Sequence, residues 1–224
     1  FFYVPGSGAE QLKLGGADRT FTTVTSGISV AGTYTPIVSD FDGNGVTDIF
    51  WYAPGPAQDS LWLFQKGGSH LTVFRTVNGT YTPVVGDWAT NGASNGKDDI
   101  FWYSETGGDS LWRAEGGGAF TPLAQSIGPG RIPLVGAFTP NTIPGDGSTD
   151  ATLDLFWYGP GSVPDSLWQG DGTGHFVHVT YTVNGGASCS VTLRYAPTSP
   201  GSFSGSIAMA GYYSNTQLAL AISG

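Results

Sequence analysis

Along this chain apolar and polar residues alternate in short bursts and do not recur at helical spacing. In "DIFWY", residues 48–52, successive side chains point to opposite faces of a strand, so Phe50 and Tyr52 share one face and Trp51 takes the other. A Pro-Gly turn follows, and "DSLW" returns as a second strand. A glycine cluster then leads to a third strand, such as "LTVFRTVNG", and to a fourth, "YTPVVGDW". No window of about 11 to 18 residues repeats its apolar positions at i, i+3, i+4 and i+7 without an intervening Gly or Pro. The chain reads as all-β.

The bursts themselves repeat. "FFYVPGSGAEQLKL", "FWYAPGPAQDSLWLF", "FWYSETGGDSLWRA" and "FWYGPGSVPDSLWQG" align, placing Tyr3, Tyr52, Tyr103 and Tyr158 at intervals of 49, 51 and 55 residues. Between them lie "TYTPIVSDF", "TYTPVVGDW" and "RIPLVGAF". A period near 50 with about four strands per unit predicts β-propeller-type repeats, about four blades, over residues 1–185. Asp59, Asp109 and Asp165 open the returning strands, where a carboxylate caps a turn by accepting backbone N–H bonds. Trp51, Trp102 and Trp157 are expected to stack one unit on the next. Trp62, Trp112 and Trp168 sit beside turns and are the candidates for stacking on a sugar.

Composition narrows the function classes. The 36 Gly and 14 Pro demand many turns, and the 30 aromatic residues suit pleated sheets. Eight Lys and Arg against 17 Asp and Glu give a net charge of −9. That balance disfavours nucleic acid and anionic membranes as partners. One cysteine, Cys189, leaves no internal disulfide and no Cys-rich zinc site. The longest apolar run near the end, "LALAIS", is too short to span a bilayer, so no membrane insertion is expected. Little Cys and Lys with much Gly, Thr and Ser suit a bacterial extracellular or cell-surface protein. The opening "FFYVPG" has neither an initiator Met nor a leader, so the chain is expected to begin within a longer protein.

The acid surplus is gathered in loops. Counting from Asp40, oxygen-bearing side chains fall at positions 1, 3, 5 and 9: Asp40, Asp42, Asn44 and Asp48, with the Val46 carbonyl at 7 and Gly45 at the turn. A hard cation such as Ca²⁺ takes six to eight oxygens, and alternate side chains turned into a tight loop supply them. Aligned on the closing aspartate, a third loop offers Asp146, Ser148, Asp150, Thr152 (through its carbonyl) and Asp154. The second offers Asn91, Asn95 and Asp99, with Ala93 lacking a ligand. Charge count predicts affinity in the order first, third, second.

The loop Asp-x-Asp-x-Asn-Gly-x-x-Asp running into "DIFWY" at a period near 50 resembles the FG-GAP/VCBS repeats of bacterial surface proteins and integrin α-subunit propellers. The resemblance covers residues 1–185. It implies a propeller with calcium in its loops and a non-catalytic role in adhesion or ligand presentation. Partners would then be other copies or further parts of a larger surface protein. "DSLW" bears a weaker similarity to bacterial propeller lectins, implying glycans as the alternative partner. Residues 186–224, with "CSVTLRYAP", "GSFSGSIAMAG" and "TQLALAISG", break the repeat. They resemble the last strands of immunoglobulin-like, Hydin-related domains, a partial β-sandwich; in that family a disulfide partner often faces the position of Cys189. Both ends look incomplete, and the fourth unit is expected to lose its last strand.

Catalytic motifs find no context. "GASNG" around Ser94 fits a nucleophile elbow in letters only, because that motif needs a strand–turn–helix in an α/β sheet. His175 and His178 point to opposite faces of one strand and cannot readily share a metal. No enzyme activity is expected.

Overall fold

The computed structural model describes residues 1–6, 10–24, 27–88, 95–138, 153–170, 175–181, 183–184 and 188–189; among them the chain is all-β, with no helix. Strands β1 (Leu12–Gly15) and β2 (Phe21–Val24) form a two-stranded sheet, extended by a bridge between Phe2 and Gln11. Three four-stranded antiparallel meanders follow. The first contains β3 (Thr35–Ser39), β4 (Asp48–Tyr52), β5 (Asp59–Phe64) and β6 (His70–Arg75). The second contains β7 (Thr82–Gly86), β8 (Asp99–Tyr103), β9 (Ser110–Gly116) and β10 (Ala119–Ala124). The third contains β11 (Ile132–Gly136), β12 (Asp154–Tyr158), β13 (Asp165–Gly170) and β14 (Phe176–Tyr181). A short pair, β15 (Val183–Asn184) with β16 (Ser188–Cys189), ends the described chain. None of these sheets closes into a barrel. One compact unit spans Phe1–Cys189. Almost all of the segment expected to be immunoglobulin-like, 186–224, lies outside the described residues.

The sheet boundaries differ from the sequence expectation by one strand. Counting along the chain places "YTPVVGDW" last in a unit, but the structure places it first in the next, with β7 paired to β8 from Thr82–Tyr103 to Gly86–Asp99. The acidic connections are thus hairpin loops joining the first two strands of one sheet. The same shift corrects the expectation of a truncated last unit. Its "FVHVTY" strand, β14, pairs along all of β13 and completes a four-stranded sheet. The first strands of successive sheets, β3, β7 and β11, lie side by side.

Aromatic triplets explain why β4 and β8 are buried along their whole length. One face of each packs on the sheet before and the other on the sheet after, so alternation puts apolar groups on both. Trp51 is wedged against Phe1 and Tyr3 of the preceding unit, with ring centroids 5.5 and 5.0 Å away. Trp102 repeats this with Phe50 and Tyr52 at 5.6 and 5.0 Å, and Trp157 with Phe101 and Tyr103 at 5.1 and 5.2 Å. Such edge-on aromatic pairs add about 0.5–1.5 kcal/mol each beyond the area they bury. A second wedge comes from the residue two places after each first strand. Phe41 is buried against Phe120 of the next sheet, and Trp88 against Phe176 of its successor. Among the described residues the β1–β2 sheet is two-stranded. Between it and the next sheet lies a 520 Å³ cavity lined by Phe1, Leu12, Leu14, Val38, Ile49 and Phe64.

The tyrosine of each triplet ties consecutive sheets together. Tyr52 donates its hydroxyl proton to the Gly79 carbonyl at 2.9 Å and accepts the Tyr81 N–H at 2.9 Å. Tyr3 does the same with Gly32 and Tyr34, and Tyr103 with Gly128 and Arg131. The clasp demands glycine at position 79: its φ is +134°, and an added Cβ would stand 2.7 Å from the Tyr81 ring.

Candidate metal centre

The β3–β4 hairpin folds its acids inward because they double as turn formers. Asp40 accepts N–H bonds from Gly43, Asn44 and Gly45 at 2.8, 3.2 and 2.7 Å. Asp42 accepts the Asn44 N–H at 3.1 Å, and the Asn44 side-chain oxygen accepts the Val46 N–H at 2.7 Å. Gly43 and Gly45 take φ of +78° and +79°, a left-handed conformation that lets the chain turn twice within five residues. One carboxylate oxygen from each of Asp40, Asp42 and Asp48 then lies within 4.8 Å of the others. Asn44 anchors the loop by donating to the Phe64 carbonyl at 2.9 Å, while Val46 packs its side chain on the core around Trp51.

Burial and mutual proximity both act on the carboxylates of this cluster. Burial pushes the Asp42 carboxyl above its ordinary value, and the neighbouring Asp40 carboxylate adds to the shift. Asp48 is pushed up to about 6, chiefly by burial, against the opposing effect of bonds from the Phe64 and Phe41 N–H groups. The charged groups acting on Asp42 and Asp48 are other carboxylates. The donor set is oxygen only, which fits a hard divalent ion such as Ca²⁺ and not a soft metal. Asp40, Asp42 and Asp48 would hold it, with the Asn44 amide and the Val46 carbonyl as neutral donors.

Asp48 nevertheless has a purpose without any ion. Its two oxygens accept N–H bonds from Phe41 at 2.9 Å and Phe64 at 2.7 Å, pinning the hairpin to the end of β5. Asp99 repeats this with Trp88 at 3.0 Å and Ala114 at 2.8 Å, and Asp154 with Phe138 at 2.8 Å and Gly170 at 3.3 Å. All three are fully buried. The closing aspartate, chosen from sequence as a ligand in every loop, is first a backbone clamp. Its recurrence in all three hairpins follows from that. Asp59 and Asp109 cap the next turn in the same manner. Asp59 accepts the Ala53 and Val77 N–H groups at 2.7 and 2.6 Å; Asp109 accepts those of Ser104 and Ile127, both at 2.8 Å. Asp165 accepts the Gly159 N–H at 2.7 Å. In the first unit Glu10 stands at this place and reaches the Val30 N–H at 3.2 Å.

The other two loops are described only in part. Asn91 of the second loop and Asp146, Ser148, Asp150 and Thr152 of the third lie outside the described residues. Asn95 accepts the Lys97 N–H at 2.7 Å, a turn bond. Counting forward from the first strand, and not back from the closing aspartate, puts Asp87 in the place of Asp40. It is buried and accepts the Gly96 N–H at 3.1 Å. The signal lay in the match of "VVGDW" to "IVSDF"; a loop longer by four residues concealed it. In the third loop that place holds Ala137, between Gly136 and the Phe138 wedge.

The tryptophans considered as sugar platforms separate. Trp62 and Trp168 are buried, and imidazole rings stack on them: His70 at 4.0 Å and 15°, His178 at 4.1 Å and 7°. The strand after each DSLW folds back over its tryptophan, so neither presents a bare face to solvent. Trp112 is half-buried and lines a 140 Å³ cavity with Thr76, Asn78, Tyr81, Trp102 and Ser110. Comparison of the chain with family models, with curated proteins and with solved structures gives no match.

Proposed function

We propose that the chain is a non-catalytic, calcium-stabilised structural module, a run of β-propeller blades of the FG-GAP/VCBS type. We assign it a role outside the cell in adhesion or ligand presentation. One observation carries the calcium reading: three carboxylates converge within 4.8 Å on a hairpin loop, and the charges acting on Asp42 and Asp48 there are acidic. The propeller reading is supported by the sequential four-stranded meanders, the adjacent first strands and the repeated aromatic wedge between sheets. In this reading the ion acts as a staple. It neutralises a loop that joins the first two strands of one sheet, and the Asp40 carbonyl accepts the Asp98 N–H of the next hairpin at 2.8 Å.

Thermal melting with calcium and with EDTA tests the staple. Binding at 100 times Kd stabilises by about 2.7 kcal/mol. For a domain of this size that is roughly 5–10 °C in Tm. Asp42→Ala should abolish the difference; a wild-type Tm indifferent to chelation refutes calcium. The glycan-binding alternative is now confined to Trp112, whose cavity combines an aromatic face with Thr76, Asn78 and Ser110. Binding on a glycan array, lost in Trp112→Ala, would favour it.

A further inference from the structure

The last sheet exposes one half of an interface that the molecule elsewhere buries. Three of its residues align with buried counterparts by strand register. Leu134 is 49% exposed where Ile37 and Val84 are 5% and 7%. Phe138 is 50% exposed where Phe41 and Trp88 are 1% and 0%. Tyr158 is 44% exposed where Tyr52 and Tyr103 are 1% and 2%. These are the side chains that, in each earlier sheet, face the sheet that follows.

The other half is exposed at the opposite end of the series. Phe2 stands at the position of Trp51, Trp102 and Trp157, the residue that the preceding Phe-x-Tyr pair embraces, and it is 59% exposed. Phe21, opposite Gly15, stands where Phe120 and Phe176 stand opposite Ala114 and Gly170. Those two receive the wedges Phe41 and Trp88, whereas Phe21 is 69% exposed.

We propose that these faces mate between molecules: the β11–β12 face of one chain docks head-to-tail on the β1–β2 end of a second copy. Phe138 packs there against Phe21, and Phe156 with Tyr158 packs around Phe2. The occupant is a second copy because one chain carries both complementary halves, and each half copies a junction already formed within the molecule. The contact is heterologous, joining two different surfaces, and it is independent of whether the acidic loop holds calcium.

Analytical ultracentrifugation over a hundredfold concentration range, with the two single variants Phe138→Asp and Phe21→Asp, tests this. The wild type should associate with rising concentration. Each variant alone should sediment as a monomer, with the circular dichroism spectrum of the wild type. An equimolar mixture of the two should recover a dimer and go no further, because each partner retains the half the other lacks. A monomeric wild type, association that survives in either variant, or a mixture that stays monomeric overturns the proposal. The complementation separates this contact from a symmetric one, in which two damaged surfaces would not restore each other.

Discussion

The sharpest consequence of the site's geometry is that Asp99 and Asp42, both chosen from sequence as calcium ligands, should respond oppositely to mutation and chelation. Asp99 is fully buried and accepts the Trp88 and Ala114 N–H groups at 3.0 and 2.8 Å. Asp99→Ala removes both acceptors and leaves two buried backbone donors without them. A hydrogen bond to a charged group contributes about 1.5–3 kcal/mol, and a stranded buried donor costs a similar amount. The two bonds together set an expected loss of about 3–5 kcal/mol, or some 10–15 °C in Tm for a domain of this size. Because the clamp joins backbone to backbone, the loss should be the same in calcium and in EDTA.

Asp42 makes one backbone bond, to Asn44, in a half-exposed loop. Its removal in EDTA relieves repulsion from Asp40 and should leave Tm unchanged or slightly raised; in calcium it should forfeit the metal's contribution. Paired melts of the two variants, with and without chelator, supply the four numbers needed. If the cost of Asp99→Ala disappears when calcium is removed, the carboxylate is a ligand and the clamp reasoning fails. If Asp42→Ala is as damaging in EDTA as in calcium, the acids are turn formers and no ion is needed.

Two further outcomes follow from the repeats. Tyr52→Phe deletes a hydroxyl that both donates to Gly79 and accepts from Tyr81, so denaturant unfolding should show a loss of about 1–2 kcal/mol. The equivalent bonds of Tyr103 are longer, 3.3 and 3.1 Å, so Tyr103→Phe should cost less; the reverse ranking would count against the clasp. His70 lies over Trp62, and burial holds its pKa below the ordinary histidine value of 6.5. The unfolded chain then takes up a proton more readily than the folded one. Stability should fall as pH drops below about 6.5 and level off below the folded pKa. By register His70 stands where Phe120 and Phe176 stand, so His70→Phe should preserve the fold and remove this component. Equal pH profiles for variant and wild type would refute the assignment.

Much of this architecture was legible because its determinants are local. The alternation in "DIFWY", the Pro-Gly turns and the period near 50 each state a strand, a reversal and a unit without reference to distant residues. The stacking role of Trp51, Trp102 and Trp157 could be read from repetition, since a large ring recurring once per unit is most simply buried between units. The sheet boundary was not legible, because a strand paired to either neighbour has the same pattern. What decides it is where the chain between strands is held: the acidic loop closes a hairpin, whereas β6 to β7 runs through the Tyr52 clasp. Exposure of Trp62 and Trp168 was misjudged for a related reason. Their cover is histidine, a polar residue that sequence places at the surface and that here serves as a flat ring.

Aspartate has two uses in these hairpins. A carboxylate can hold two backbone N–H groups with its two oxygens, and that need recurs wherever a hairpin must be pinned to the neighbouring strand. It therefore appears as Asp48, Asp99 and Asp154 whatever the loop between contains. A metal demands additional oxygens inside the loop, and these are free to vary: Asp40 and Asp42 in the first hairpin, and Ala137 in the third at the place of Asp40. Aligning on the most regular residue thus aligned on the clamp; Asp146, Ser148, Asp150 and Thr152, chosen by that alignment, lie outside the described residues. The residues that would discriminate a metal loop from a metal-free one are the irregular ones, counted from the strand that enters the loop. By that count Asp40 with Asp42 defines the one hairpin among the described residues where three carboxylates meet.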